Sequence, residues 1–258
     1  MKTGIQISSV RKFLQTPQDV MRSFRKCADI GYRYIQIQWI GENVPMEDVK
    51  KALDESGLIC TGTQDYYDDV MKSMDSVIKS NDLWGSKYIC VSGIPERFRT
   101  PEGCLRMADE VNSTAARLRS CGKILQFHPV VTDYQIAAGR LLVDLLMENV
   151  SADVQVLLDI YHVYKSGLDP AARIRSLKGR IDHVHFKDSA ISTEAAPQNT
   201  KLVPVGQGAI NWAPVIRACL DTGVSYCFAE QEQWDRDPFE CLRESYQFIT
   251  GMIADQSI

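Results

Sequence analysis

The four histidines of the chain, His128, His162, His183 and His185, all fall between residues 128 and 185, and Asp159 precedes His162 by three. Imidazole and carboxylate together, without thiolate, form a donor set suited to a hard or borderline divalent ion. Mn²⁺ comes first, and Mg²⁺, Co²⁺ or Zn²⁺ are also compatible. His128, Asp159, His185 and Glu230 are the candidate ligands for one such ion. A lone inward histidine more often satisfies a core than binds a metal. Three histidines that share a pocket with two carboxylates reverse that expectation.

These residues can meet only if the elements that carry them converge. Eight short β-branched or apolar runs, at 3–8, 33–39, 58–63, 87–92, 123–128, 154–159, 181–187 and 224–230, read as strands. Longer amphipathic stretches near 17–30, 45–56, 66–83, 101–121, 138–149, 169–178, 211–222 and 238–253 read as helices. Prolines at 17, 45, 101, 170 and 238 mark helix starts, where a missing N–H costs little, and glycines at 31, 57, 85, 122, 179 and 223 mark helix ends. Strict alternation of strand and helix implies a parallel sheet, and eight regular units in 258 residues fit a closed (β/α)8 barrel, a TIM barrel, as one domain over 1–258. Each candidate ligand then sits at the C-terminal end of one of the four last strands, the face where such barrels place their sites.

Alternate strand residues point to opposite faces. Ile5, Ile7, Ile35, Ile37, Trp39, Ile89, Val91, Val156, Leu158, Val184 and Phe186 form the helix-facing set. The inward set is Gln6, Ser8, Gln36, Gln38, Gln64, Ser92, Gln126, His128, Asp159, His183, His185, Lys187, Glu230 and Glu232. A barrel interior is ordinarily filled by branched apolar side chains, so so many polar groups predict a wet pocket for a small polyhydroxylated substrate. Gln6, Gln36, Gln38, Gln64, Ser92, His183 and Glu232 are the expected substrate contacts. Trp39, Tyr67, Trp212 and Trp234, near strand ends or loops, are candidates to wall a sugar ring. Some inward polar groups, Gln126 and His183 above all, can instead satisfy each other in a buried network. The charged Asp159, Lys187 and Glu230 need a metal, a partner or a substrate.

A formal net charge of −4 and no lysine- or arginine-rich run argue against a nucleic-acid partner. No apolar leader and no run of 18 uncharged apolar residues is present, so the reading is a soluble, unexported, cytoplasmic protein with no membrane partner. The eight cysteines lie scattered in apolar segments, without the close spacing of zinc or redox motifs, and read as buried free thiols. The stretch 190–204 is long for a βα loop and suits a lid or a subunit contact in a homo-oligomer.

Five segments, Leu-Gln-Phe-His-Pro (125–129), Leu-Leu-Asp-Ile-Tyr-His (157–162), His-Val-His-Phe-Lys-Asp (183–188), Val-Gly-Gln-Gly-Ala-Ile-Asn (205–211) and Ala-Glu-Gln-Glu (229–232), resemble the xylose isomerase-like TIM-barrel superfamily, often labelled sugar phosphate isomerases/epimerases. The resemblance covers essentially the whole chain. It implies a metal held by Glu, Asp, His and Glu from strands five to eight, and Asp159, His185 and Glu230 match the last three. His128 stands where ketose epimerases carry the first Glu, which is similar to a branch with a Tyr-His-Asn-His segment. Pro129 and Val130 depart from that branch too, and Gln64 stands where relatives often have His.

The reaction the resemblance implies is proton abstraction next to a carbonyl through a metal-stabilised enediolate, as in a metal-dependent sugar isomerase or epimerase. In that scheme Glu230 ligates and acts as base, Lys187 stabilises oxyanion charge, and His162 orients substrate or carries a proton. His128 would serve as ligand or second acid. A dehydratase acting on a keto-sugar or keto-inositol, similar to inosose dehydratase, shares this frame, and so does a sugar-binding barrel without catalysis. No glycine-rich phosphate cradle is present, so phosphate is not read into the substrate.

Overall fold

Short β-branched runs alternate with amphipathic helices, and the computed structural model, which describes residues 1–190 and 201–256, closes those runs into a barrel. Its strands are β1 (Lys2–Gln6), β2 (Tyr34–Ile37), β3 (Ile59–Tyr66), β4 (Tyr88–Ser92), β5 (Ile124–His128), β6 (Gln155–Asp159), β7 (Ile181–Phe186) and β8 (Tyr226–Ala229). Neighbours pair in parallel and in chain order, and β1 joins both β2 and β8, so no sheet edge is left open. Ser92 lies beside His128, and Asp159 beside His185, the next-to-last residue of β7.

The surrounding helices are α1 (Pro17–Ile30), α2 (Met46–Ser56), α3 (Tyr67–Lys72), α4 (Met74–Leu83), α5 (Pro101–Ser120), α6 (Leu142–Asn149), α7 (Ile160–Lys165), α8 (Pro170–Ser176), α9 (Trp212–Thr222) and α10 (Pro238–Gln256). Thr16, Thr100 and Asp169 each accept a hydrogen bond from a first-turn N–H, with proline in the first helical turn, as the sequence pattern requires. Ile5, Ile35, Ile89, Val156, Leu158, Val184 and Phe186 are buried between strands and helices. Each contributes roughly 1.5–3 kcal/mol by leaving water.

Several boundaries differ from the sequence reading, each for a local reason. The first strand ends at Gln6, and Ile7–Phe13 forms a 3-10 helix whose second residue, Ser8, donates its N–H to the Gln6 side chain. The helix expected over 66–83 breaks at Ser73, whose hydroxyl bonds the Asp69 carbonyl, and β3 runs on to Tyr66. The helix expected from 138 starts only at Leu142, because Ala138 and Gly139, both at positive φ, close a hairpin of Ile136–Ala137 with Arg140–Leu141. Helix α7 was not anticipated at all. Of the eight cysteines, all free, Cys121 is exposed and the others are buried. Around the stretch expected to be a lid, Asp188–Ala190 pairs with Lys201–Val203, and 191–200 lie outside the described residues. Among the described residues no helix is long and apolar enough to cross a membrane.

Candidate metal and active site

The last residue of β6, Asp159, also caps α7, its Oδ1 accepting the His162 N–H at 3.1 Å. That bond fixes the carboxylate and leaves Oδ2 turned inward, 3.9 Å from His128 Nε2, 3.7 Å from His162 Nε2 and 3.8 Å from Lys187 Nζ. Ligand atoms of His128, Asp159 and His185 lie within 4.8 Å of one another, all buried. Glu230 follows β8 and joins them, its Oε2 approaching His185 Nδ1 to 3.1 Å while Ser8 Oγ holds Oε1 at 3.3 Å.

The chemistry of these atoms fits a divalent cation. Gln36 Oε1 accepts from Gln6 Nε2 at 3.2 Å, so His185 Nε2, 2.5 Å from the same oxygen, carries the imidazole hydrogen. The Nδ1 lone pair is therefore bare and faces a carboxylate oxygen, an arrangement that repels unless a cation or proton lies between them. His185 Nδ1, Glu230 Oε2, Asp159 Oδ2 and both ring nitrogens of His128 have no hydrogen-bond partner among the described residues. A buried polar atom left this way costs roughly 1–3 kcal/mol. Burial first, then the neighbouring His185, His162 and Lys187, hold the His128 pKa well below the ordinary imidazole value, so one ring nitrogen keeps its lone pair available. Oxygen and imidazole donors of this kind suit Mn²⁺, Mg²⁺, Co²⁺ or Zn²⁺.

Above these atoms opens a cavity of about 640 Å³. Gln38, Gln64, Ser92, His128, Lys187, Glu230 and Glu232 line it, as the alternation of the strands predicts, and His162 joins them from α7. Gln38 Oε1, Ser92 Oγ and His162 Nδ1 are buried there with no partner among the described residues. Lys187 Nζ lies 2.6 Å from Glu232 and 3.6 Å from Glu230. Burial pulls its pKa down, but Glu230, Asp159 and Glu232 together outweigh that and raise it, so it stays an ammonium. Glu230 is pushed up by burial, yet the Lys187 ammonium holds its carboxyl well below the usual range. Burial and the Glu230 charge raise Glu232. Burial lowers His162 despite Asp159 beside it, which keeps it neutral.

Three expected substrate contacts are placed elsewhere. Gln6, Gln36 and His183 are buried and do not line the cavity. Gln6 and Gln36 form the network beneath the metal ligands, with Gln6 Nε2 also 3.4 Å from Gln64 Oε1. His183 bonds Gln126 at 2.6 Å and stacks on Tyr226. Alternation gives a side chain's face but not its depth, and His183 lies two residues before His185, a step of about 6.6 Å along a strand. Alternation along an extended strand would turn Trp39 to the helices, but it follows the end of β2 with φ 57, and that turn carries its ring to the cavity wall, the place expected of a residue that walls a sugar ring. Tyr67 and Trp212 are core residues, bonded to Glu110 and Asp188, and Trp234 packs on Phe13. The lining residues Tyr66, Tyr161, Lys165 and Lys201 went unread. An Asp at a strand end followed by Ile-Tyr-His-Val is a helix-start signal that would have found α7, and with it Tyr161 and Lys165.

The glycine-rich segment after β7 has a structural part. Asp188 accepts from the N–H groups of Ser189, Gly206 and Gly208 and from Trp212 Nε1, at 2.8 to 3.1 Å, fixing the loop that follows Lys187.

A profile described as xylose isomerase-like TIM barrel matches residues 24–251. Inosose dehydratase of Lacticaseibacillus casei is 28% identical over 160 residues, 56% of this chain and 53% of that protein. The 3-dehydroshikimate dehydratase of Bacillus anthracis is 26% identical over 119 residues, 42% of this chain and 41% of that protein. This chain thus spans about half, or less, of the length of the curated relatives it matches. The crystal structure of a sugar phosphate isomerase/epimerase from Parabacteroides distasonis ATCC 8503 superposes with a TM-score of 0.79 at 18% identity, covering 97% of this chain and 98% of that one, which is a likeness of fold. With eight parallel strands closed in order and a profile match over most of its length, the chain belongs to the xylose isomerase-like TIM barrel family.

Proposed function

We propose that this protein removes a proton from the carbon next to a carbonyl in a small polyhydroxylated substrate, as a divalent-metal-dependent sugar isomerase or epimerase. The observation that carries the reading is the convergence of unsatisfied atoms of His128, Asp159, His185 and Glu230 beneath a polar cavity that Lys187 enters. A bound divalent ion would polarise the substrate carbonyl and offset the negative charge that develops on its oxygen. Lys187 would neutralise the same charge from the side, as a cation already paid for by its carboxylate neighbours.

Glu230 makes a poor base, since the Lys187 ammonium overcomes its burial to hold its carboxyl low and Ser8 occupies its second oxygen. His162 serves better: it is neutral, lines the cavity, and its Nδ1 has no partner among the described residues. The His162 imidazolium so formed would return the proton, to the neighbouring carbon in an isomerase. Gln38, Gln64 and Ser92 would take the substrate hydroxyls, and Trp39 the apolar face of its ring.

A second reading, dehydration of a keto-sugar or keto-cyclitol, is favoured by the two curated relatives, both dehydratases by name. Here the His162 imidazolium formed by proton abstraction would protonate the leaving hydroxyl. One experiment separates the readings. Protein supplied with Mn²⁺ is incubated in D₂O with ketoses and keto-cyclitols, and the products are weighed by mass spectrometry. Deuterium gained without loss of water supports the isomerase or epimerase. Loss of water supports the dehydratase. No exchange into any substrate that binds would leave a sugar-binding barrel without catalysis.

A further inference from the structure

The cavity over the metal ligands is open on one side. A second cleft of about 810 Å³ runs from its mouth across the ends of β2 and β3 to the side of α4, and the two share Gln38, Trp39, Gln64 and Tyr66. Trp39 stands at this junction with Tyr66 tilted against it at 6.1 Å, and the Arg11 guanidinium lies 5.2 Å from its ring centre. Either space alone falls within the roughly 300–1,000 Å³ of a small-molecule site, so a single sugar ring has no need of both.

Two features of the cleft indicate its occupant. Gln38 is 4% exposed, lines both spaces, and its Oε1 finds no donor among the described residues. Glu42, Asp65 and Asp69 add acceptors, Trp84 adds an apolar ring beside Val77, and no lysine or arginine lines the cleft among the described residues. Acceptor oxygens beside indole faces suit hydroxyl donors on an apolar ring, and three carboxylates against the Arg11 guanidinium on the Trp39 ring disfavour a phosphate or carboxylate. The cavity over the metal ligands, lined by Lys165, Lys187 and Lys201, has the opposite character.

We propose that this cleft is a second carbohydrate subsite, so that the substrate is a glycoside or disaccharide with its carbonyl-bearing unit over His128, Asp159, His185 and Glu230 and an uncharged second ring between Gln38 and Trp84. This rests on the reading of the metal cavity as a sugar site.

Calorimetric titration of the Mg²⁺-supplied protein with D-fructose and with the keto-disaccharides lactulose, turanose and isomaltulose tests it. At least one disaccharide should bind tenfold or more tighter than fructose. Ser80→Phe, which fills the cleft from α4, and Trp84→Ala, which removes its ring, should each reduce that ratio to near one while fructose affinity and metal retention stay unchanged. The Ser80 hydroxyl donates to the Val77 carbonyl of its own helix, so Ser80→Phe breaks no bond between elements among the described residues and keeps the test available should Trp84→Ala misfold. Fructose binding with no gain for any disaccharide would overturn the subsite alone, and so would a gain that survives both variants. Failure of fructose and all three disaccharides to bind would remove the sugar reading of the metal cavity, and the subsite with it.

Discussion

Gln36 does not touch substrate space, yet it should control metal affinity. Its Oε1 receives the His185 Nε2 hydrogen at 2.5 Å and the Gln6 Nε2 hydrogen at 3.2 Å, and so keeps the His185 lone pair on Nδ1, the nitrogen that faces Glu230 Oε2. Gln36→Leu keeps the volume and removes the acceptor. His185 then gains by moving its hydrogen to Nδ1 and donating to Glu230 at 3.1 Å, which blocks two ligand atoms at once. Restoring the binding tautomer must break that buried, charge-assisted bond, and losing the partner that orients a metal-bound histidine typically weakens the metal about 10–100-fold. A chelator-competition titration with Mn²⁺ measures this directly, with thermal melts confirming that the variant folds. A folded Gln36→Leu protein that binds Mn²⁺ as tightly as wild type would refute the tautomer argument.

Lys187→Met should retain the metal and lower kcat by about 10²–10³-fold on a verified substrate, the usual cost of removing one group that stabilises developing oxyanion charge; unchanged turnover would reduce Lys187 to a counter-ion for Glu230 and Asp159. At Gly208 a methyl group would stand 2.0 Å from Asp188 Oδ1 and 2.6 Å from the Ser189 carbonyl, so Gly208→Ala must displace a buried carboxylate from its donors. The loss should be roughly 3–5 kcal/mol, or about 10 °C in Tm, whereas Gly251→Ala in α10, which meets nothing within 4 Å, should be neutral or slightly stabilising. Equal melting temperatures for the two variants would contradict this. Burial lowers the His183 pKa to about 3 from its ordinary 6.5, so below pH 6.5 the unfolded chain binds protons that the folded one does not. Stability should therefore fall as pH drops from 7 to 5, less steeply in His183→Gln, and identical slopes would place the acid sensitivity elsewhere.

Much of the barrel was legible because its signals are local. Thr16 with Pro17 and Thr100 with Pro101 mark helix starts that need no tertiary context, and period-two alternation placed Gln38, Gln64, Ser92, His128 and Glu232 on the cavity side. Depth and direction beyond strand ends were not legible. His183 and His185 share a face, yet one is held by Gln126 below and the other reaches the metal ligands. Trp39 escaped the alternation because a left-handed residue past β2 resets which way the chain faces. Gln6 and Gln36 carry the same amide as Gln64, and only the closed barrel decides that they hold His185 in place rather than touch substrate.

The proposed chemistry needs one ion, held by His128, Asp159, His185 and Glu230, for C–H bond breaking. Chelator-treated protein titrated with Mn²⁺, with the rate of deuterium exchange into a bound substrate followed at each addition, tests both halves together. Exchange should be absent at the start, rise linearly and level off at one equivalent per chain, and it should not appear in Asp159→Ala. Exchange at full rate in the chelated protein, or a wild-type curve from Asp159→Ala, would contradict the account.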